Sequence, residues 1–306
     1  MSEYEGVLPI HKPAGFTSHD VVAKARGILK MKRIGHTGTL DPQVTGVLPL
    51  CLGRATRVVE YMQEMPKEYE ATLVLGIATD TEDLTGAIVQ ETEEVPVTKD
   101  QVLETLRKFT GTISQVPPMY SALKVDGKRL YELAREGKTV ERKSRKVEIY
   151  ELELTGFELD LPRPTISFRA LCSKGTYIRT LCVDIGRELG VPACMSELKR
   201  TMSAGIPLSR CLTLEEVELC VREGNLQQYL IPVDQAVSHL ASHQVSAEKV
   251  KAALQGQRLS WTAVKPQVMG NEPIRLYDPD GNFLGIFHKE PESGAIAAVK
   301  VFLPGL

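Results

Sequence analysis

Apolar side chains recur with two different spacings early in the chain. Thr17 or Ser18 can cap a helix whose apolar positions follow the helical period: Val21, Val22, Ala25, Ile28 and Leu29. Residues 68–77 instead read as a half-buried strand. One face of this strand carries Tyr69, Ala71, Leu73 and Leu75. The pattern therefore predicts helices and strands in the same part of the chain.

Capping signals and short apolar runs extend this mixture to about residue 240. Two capping boxes, Thr98 with Gln101 and Thr213 with Glu216, each open a helix, and another helix is predicted from Thr176 to a stop at Gly190. Residues 55–65 also suit a helix. Apolar runs predict strands near residues 7–10, 47–52, 145–154 and 164–173. The fold class is therefore α/β or α+β, with a mixed sheet.

The predicted elements become shorter and mostly strands after about residue 240. One helix capped by Ser246 is followed by short strand-like runs near residues 259–264, 274–277, 283–288 and 296–302. We therefore predict two domains, residues 1–240 and a small β-rich module at residues 241–306.

The amino-acid composition says more about where in the cell the protein is located than about its function. The 306 residues carry a net charge of −2, so any surface that binds a polyanion must be local. The six cysteines form no CxxC pair, which is typical of reduced thiols in a cytosolic protein. The sequence has no signal peptide and no apolar run of membrane-spanning length, which predicts a cytoplasmic protein.

The most informative stretch runs from Gly35 to Pro42, with the sequence GHTGTLDP. Its glycines permit a tight backbone, and Pro42 biases Asp41 towards an extended conformation. Residues 21–40 contain five Lys or Arg and no acid, and Arg54 and Arg57 follow shortly afterwards. Asp41 is either a turn cap or a reactive carboxylate in a polyanion site, and its cationic surroundings favour the second interpretation.

A second basic region lies at residues 124–146. It contains nine Lys or Arg against four Asp or Glu, a local charge of +5. We interpret it as a mobile insertion that closes over RNA, and the alternative is an ordinary surface helical hairpin.

Five segments together resemble one family, the bacterial tRNA pseudouridine synthase B (TruB) family. They are HKPAGFTSHDVV (11–22), GHTGTLDPQVTGVL (35–48), KEYEATLVLGIATDTEDLTG (67–86), QVPPMYSALKVDGKRLYELAREG (115–137) and SKGTYIRTLCVDIG (173–186). The resemblance covers about residues 6–240, and the tail is similar to that family's small PUA-like RNA-binding domain. It implies a mainly antiparallel mixed sheet flanked by helices.

The resemblance also implies roles for individual residues. Asp41 matches the catalytic aspartate, and Arg179 matches the arginine that pairs with it. Tyr69 matches the tyrosine that stacks on the target base and is the candidate for moving the proton at carbon 5. His36 matches a loop histidine that fills the gap left by a flipped nucleotide. Further pocket positions are matched by Lys12, Tyr177 and Leu198.

The implied reaction converts uridine 55 in the T-loop of tRNA to pseudouridine. A C–N glycosidic bond breaks, the uracil rotates, and C5 joins C1′, so no redox change occurs and no cofactor is required. We expect a monomer that binds the tRNA T-arm and elbow, with no membrane contact and no obligate protein partner. No metal is expected either, because His239 and His243 have helical spacing but no accompanying acid or cysteine cluster.

Two other classes of protein use parts of the same pattern. A non-catalytic protein that binds or folds tRNA would use the basic region but would not need Asp41. A nucleoside or glycoside hydrolase would need a second acid for the leaving group, and the GHTGTLDP motif contains no other acid.

Overall fold

The computed structural model describes residues 4–121, 123–125 and 127–303 of the chain. The strands, in chain order, are β1 (Gly6–Lys12), β2 (Ile34–His36), β3 (Thr45–Leu52), β4 (Lys67–Leu75), β5 (Ile77–Thr79), β6 (Ile88–Glu91), β7 (Gly111–Gln115), β8 (Lys124–Val125), β9 (Lys128–Arg129), β10 (Arg145–Glu158), β11 (Thr165–Cys172), β12 (Ala193–Ser203), β13 (Ile206–Pro207), β14 (Ala241–Val245), β15 (Val264–Lys265), β16 (Ile274–Tyr277), β17 (Phe283–Lys289) and β18 (Ile296–Val301).

The helices begin where the capping signals predict in most cases. They are α1 (Ser18–Leu29), α2 (Val59–Glu64), α3 (Lys99–Lys108), α4 (Leu130–Arg135), α5 (Ile178–Glu188), α6 (Leu214–Glu223), α7 (Val233–Ala236) and α8 (Val250–Leu254). Thr98 and Thr213 close the two predicted capping boxes. Thr17 is the cap of α1, and Asp20 completes a third box.

The larger sheet has the strand order β1-β3-β12-β4-β11-β10-β7, with β2 beside β3 and β13 beside β12. All of these neighbours are antiparallel except β3 and β12. The predicted mixed, mainly antiparallel sheet is therefore confirmed.

Helices cover this sheet because its strands bury alternate side chains. Tyr69, Ala71, Leu73 and Leu75 are buried on one face of β4, as their spacing predicts. They join a core that includes Ile185 of α5 and Leu106 of α3. A second core lies between β1, β3, α1 and α6.

Several predicted elements differ from those observed. Strand β12 was not predicted at all, although it lies at the centre of the larger sheet. The helix expected from Thr176 begins at Ile178, and the one expected over residues 55–65 is a 3₁₀ turn followed by α2. The helix expected after Ser246 begins with a 3₁₀ turn, and no side-chain hydrogen bond caps it. The strand expected over residues 259–264 is mostly a turn, since β15 starts only at Val264.

The last five strands form a second sheet, with the order β15-β14-β16-β17-β18 and its own apolar core. Its last strand is fastened to the first sheet. Arg57 donates to the carbonyl of Val301 and its guanidinium lies 5.2 Å from the ring centre of Phe302, while Arg54 donates to Leu303 and pairs with Glu5. These two arginines therefore hold the tail, rather than joining the cations around Asp41.

Within the described ranges, no helix combines the length and the apolar character that are needed to span a membrane.

Candidate active site

The loop between β2 and β3 is held from several sides. The backbone N–H of Leu40 donates to the hydroxyl of Ser18 over 2.9 Å. The carbonyl of Pro42 accepts from the Lys12 ammonium at 3.0 Å and from the Gly15 N–H at 2.9 Å. Leu40 and Val44 are both buried in the core of the sheet. Asp41 therefore projects from a fixed backbone, and 45% of its side chain stays exposed.

Arg179, in the first turn of α5, forms an ion pair with Asp41. Its Nη2 lies 3.0 Å from Oδ2 of the carboxylate, and only 8% of its side chain is exposed. The same guanidinium donates to the carbonyls of Thr81 and Tyr120, at 3.0 and 2.7 Å. Three acceptors thus fix the orientation of the guanidinium, which holds a positive charge against the carboxylate.

This ion pair borders a cavity of about 390 Å³, within the usual range of small-ligand sites. Tyr69, Tyr177 and Leu198 line the same cavity. Five of the seven residues singled out in the sequence therefore lie together. The backbone of Tyr177 is held by the buried side-chain amide of Gln115, which accepts from its N–H at 3.0 Å and donates to its carbonyl at 3.2 Å.

Both tyrosines of the cavity are in their neutral form at neutral pH. Burial raises the pKa of Tyr69, and the nearby guanidinium of Arg200 opposes that rise. Burial also raises the pKa of Tyr177. The loop side of the cavity thus carries a charged pair, and the strand side carries a phenol.

Lys12 and His36 lie outside the cavity lining. Lys12 is fully buried behind the loop, where burial lowers the pKa of its ammonium to about 8. His36 ends strand β2, so the expectation of a loop histidine was wrong. Its ring meets His19 edge-on with centroids 5.6 Å apart, and its pKa is lowered, first by burial and then by the charge of His19.

Two buried cations of the cavity were missed in the sequence. Arg200 on β12 is 1% exposed and donates from Nε to the carbonyl of Val47 at 2.7 Å and from Nη2 to that of Gly38 at 3.3 Å. Lys67 on β4 donates to the carbonyls of Gln63 and Met65, and burial lowers its pKa to about 8. The exposed Glu197 and Lys199 on either side of Leu198 are the signal that could have revealed β12, but this short alternation does not mark Arg200 as buried.

Two larger depressions also reach Asp41. One, of about 870 Å³, extends from Asp41 and Arg179 to Arg129, Tyr131 and Arg135 in the basic region. The other, of about 790 Å³, runs along the strands past Leu198. The acid therefore lies where a small cavity opens into broad grooves.

Two family models together match residues 26–238 of the chain. A family model described as TruB family pseudouridylate synthase (N terminal domain) matches residues 26–178. A second, the tRNA pseudouridylate synthase B C-terminal domain, matches residues 179–238. Both models describe one class of protein, the pseudouridylate synthases.

Individual relatives narrow this class. The tRNA pseudouridine synthase B of Geobacillus thermodenitrificans is 47% identical over 305 residues, which cover 97% of this chain and 99% of the relative. That of Bacillus subtilis is 43% identical over 303 residues, covering 97% of each chain. The chain belongs to the TruB family.

Solved structures share the fold. A chain of a Cbf5-Nop10-Gar1 complex superposes with a TM-score of 0.75 and 28% identity, over 98% of this chain and 85% of that one. A chain of an H/ACA RNP bound to a substrate RNA containing 2′-deoxyuridine gives a TM-score of 0.73 with 26% identity, over 98% and 85%.

Proposed function

We propose that this protein is a tRNA pseudouridine synthase that isomerises uridine 55 of the T-loop, with Asp41 as the essential carboxylate. The observation that carries the proposal is the 3.0 Å ion pair between Asp41 and Arg179 at the edge of a cavity lined by Tyr69. Family membership supports the reaction, and the names of the relatives support tRNA as the substrate.

The chemistry follows from the residues around the cavity. The target uridine must leave the base stack to reach it, and Tyr69 offers an aromatic surface for the flipped base. An ionised Asp41 stabilises the positive charge that develops at C1′ as the C–N bond breaks. C5 then bonds to C1′, C5 loses its proton, and N1 gains one. Product and substrate therefore have the same composition, and no cofactor takes part.

The wider surface suits a folded RNA. We assign residues 1–240 to the catalytic domain, with its basic insertion at residues 124–146, and residues 241–306 to a PUA-like RNA-binding domain. The T-arm and elbow of tRNA would cover the groove that joins Asp41 to Arg129 and Arg135. In this proposal the enzyme works in the cytoplasm as a monomer, without an obligate protein partner, and His36 fills the gap left by the flipped nucleotide.

The decisive experiment incubates the purified protein with an unmodified tRNA transcript and maps pseudouridine by chemical probing. We expect modification at uridine 55. Asp41→Asn should lower the rate at least ~10³-fold, because the amide carries no negative charge to stabilise C1′, while tRNA affinity changes less than about threefold.

Asp160→Asn, an exposed acid in a turn, is the matched control and should keep wild-type activity. Full modification by Asp41→Asn would exclude the catalytic role and leave a tRNA-binding protein. Free uracil as the product would indicate a hydrolase instead.

The role of the basic region is tested by salt dependence. Lys143 and Lys146 are exposed, and replacing both with Gln should weaken tRNA binding several-fold and lower the slope of log affinity against log salt by about 1–2. Replacing Arg107 and Arg222, exposed cations on α3 and α6, should leave the slope nearly unchanged. Equal slopes for the two double variants would remove residues 124–146 from the interface.

A further inference from the structure

We infer that Arg200 is a positioning residue that joins the two sides of the candidate active site: it holds the loop that carries Asp41 and sets a positive charge beside the Tyr69 hydroxyl. The second part rests on the proposed function, in which Tyr69 moves the proton at C5.

The strand register brings the two side chains together. In the antiparallel pair of β4 and β12, Arg200 lies directly opposite Tyr69. Opposed residues of such a pair point to the same face, with Cβ atoms roughly 4.5–5.5 Å apart. The pairing shifts immediately afterwards, between Arg200 and Met202, and irregularities of this kind commonly aim a side chain at a site.

The guanidinium of Arg200 also forms hydrogen bonds that hold the loop between β2 and β3. Its Nη2 donates to the carbonyl of Gly38, three residues before Asp41, and its Nε donates to Val47 in the strand that follows the loop. A Cβ on Gly38 would lie 3.5 Å from Nη1, an ordinary van der Waals distance, so the loop is in contact with the guanidinium. One side chain thus contacts both ends of the segment that carries the acid.

Arg200 is a buried cation that bonds to carbonyl groups and not to a carboxylate. Within the described residues, no carboxylate lies within 4 Å of it, although it is 1% exposed. A buried charge without a counter-ion is costly, so it would gain from a negative group nearby. Burial is the main cause of the lowered pKa values of Lys12, Lys67 and His36, and the charge of Arg200 adds to it in each case.

The phenolate of Tyr69 is the anion that fits this position. Tyr69 faces Arg200 on β12, Cys172 on β11 and Asp41 on the loop, with Lys67 two residues away on its own strand. Of these neighbours, Arg200 is the one whose positive charge favours ionisation, although burial of the phenol outweighs it and raises the pKa. The cation therefore lowers the free energy of the form of Tyr69 that can accept a proton.

This form is needed in the second half of the reaction. Once C5 is joined to C1′, the C5–H bond breaks and its electron pair forms the C5=C6 double bond, while the C6=N1 pair moves to N1. Tyr69 first gives its hydroxyl proton to water, and the resulting phenolate then takes the C5 proton, which restores the phenol. N1 takes a proton from water, so the step balances. A neutral phenol could not accept this proton, so losing the charge of Arg200 slows this step in particular.

A deuterium isotope effect tests the inference. Single-turnover rates are measured on tRNA transcribed with hydrogen or deuterium at C5 of uridine, for wild type, Arg200→Gln and Arg200→Lys. We expect Arg200→Gln to be at least ~30-fold slower, with an isotope effect at least about twice that of wild type. Arg200→Lys keeps the charge but loses the fork of donors, so it should be slowed less than ~10-fold, with the wild-type isotope effect.

The outcomes separate the possible explanations. An isotope effect in Arg200→Gln no larger than in wild type overturns the inference, because loosening the loop alone would not select the C5 step. Arg200→Met replaces the Gln variant if that variant melts below wild type, and failure of both to fold would leave Arg200 with a structural role only. Absence of pseudouridine with the wild-type protein would instead defeat the proposed function.

Discussion

The two walls of the cavity hold their ionisable groups in opposite ways. One side, here called the loop wall, is formed by the loop between β2 and β3. There, Asp41 is 45% exposed and is paired with the nearly buried Arg179. The other side, here called the strand wall, is formed by β4 and β12. There, Tyr69, Lys67 and Arg200 are all at most 8% exposed, and the two cations donate hydrogen bonds to carbonyl groups. The loop wall keeps an anion stable before any substrate arrives. The strand wall keeps a neutral phenol among cations that would stabilise its anion.

Because of this difference, one site can supply both a carboxylate for charge stabilisation and a phenol for proton transfer. In the proposed function, an exposed carboxylate held by a guanidinium places negative charge next to C1′. A buried phenol gains charge only when a neighbouring cation compensates for the loss of solvent. The comparison implies that changes on the loop wall affect bond cleavage, whereas changes on the strand wall affect stability and proton transfer.

The largest effect should come from breaking the loop-wall pair. Arg179→Met leaves Asp41 without its cation and removes two hydrogen bonds to carbonyls. We expect the single-turnover rate to fall about 10³-fold, equivalent to about 4 kcal/mol, with tRNA affinity within about threefold of wild type. Arg179→Lys should recover part of the rate, because it restores charge without the planar fork. A rate for Arg179→Met within tenfold of wild type would show that the pair is not needed for cleavage.

The next effect concerns the point where the two walls meet. Gly46 has φ +111°, and a Cβ there would lie 2.1 Å from the backbone oxygen of Arg200, which cannot move aside. Gly46→Ala should therefore lower the free energy of unfolding by about 3 kcal/mol, measured by urea denaturation. Gly27, inside helix α1, is the matched control: nothing lies within 4 Å of its Cβ position, so Ala should stabilise by about 0.5–1 kcal/mol. Equal stabilities of the two variants would contradict the close approach.

The smallest effect we expect is on the pH dependence of the free energy of unfolding, through Lys67 on the strand wall. Burial lowers the pKa of Lys67 from 10.5 to about 8, so the folded state binds this proton less tightly than the unfolded state. Wild type should therefore gain stability relative to Lys67→Met as the pH rises from about 8 towards 10.5. The gain should be about 1 kcal/mol after allowance for solvent screening. Lys99→Met, at an exposed lysine, should show no such trend. A pH-independent difference between wild type and Lys67→Met would mean that the lysine titrates normally when folded.

Sequence patterns predicted the loop wall better than the strand wall. The period-two pattern of β4 and the GHTGTLDP motif both follow local rules, so Tyr69 and Asp41 could be found without a structure. Strand β12 escaped prediction because its interior positions include Arg200, and a buried cation breaks the apolar alternation that marks a strand. The resemblance to the family pointed to Leu198, two residues away, yet only the pairing of β12 with β4 and β3 reveals why its neighbour is buried. His36 was misjudged because three residues of β2 are too few to give a periodic signal.

The hydrogen bonds from Arg200 to the carbonyl groups of Val47 and Gly38 join residues that are 153 and 162 positions apart in the sequence. At a synthesis rate of ~5–20 residues per second, these partners leave the ribosome roughly 8–30 seconds apart. During that interval the nascent chain already contains the acid but lacks the strand that braces it. The carbonyl groups of Gly38 and Val47 therefore have no guanidinium to bond to until β12 has been synthesised.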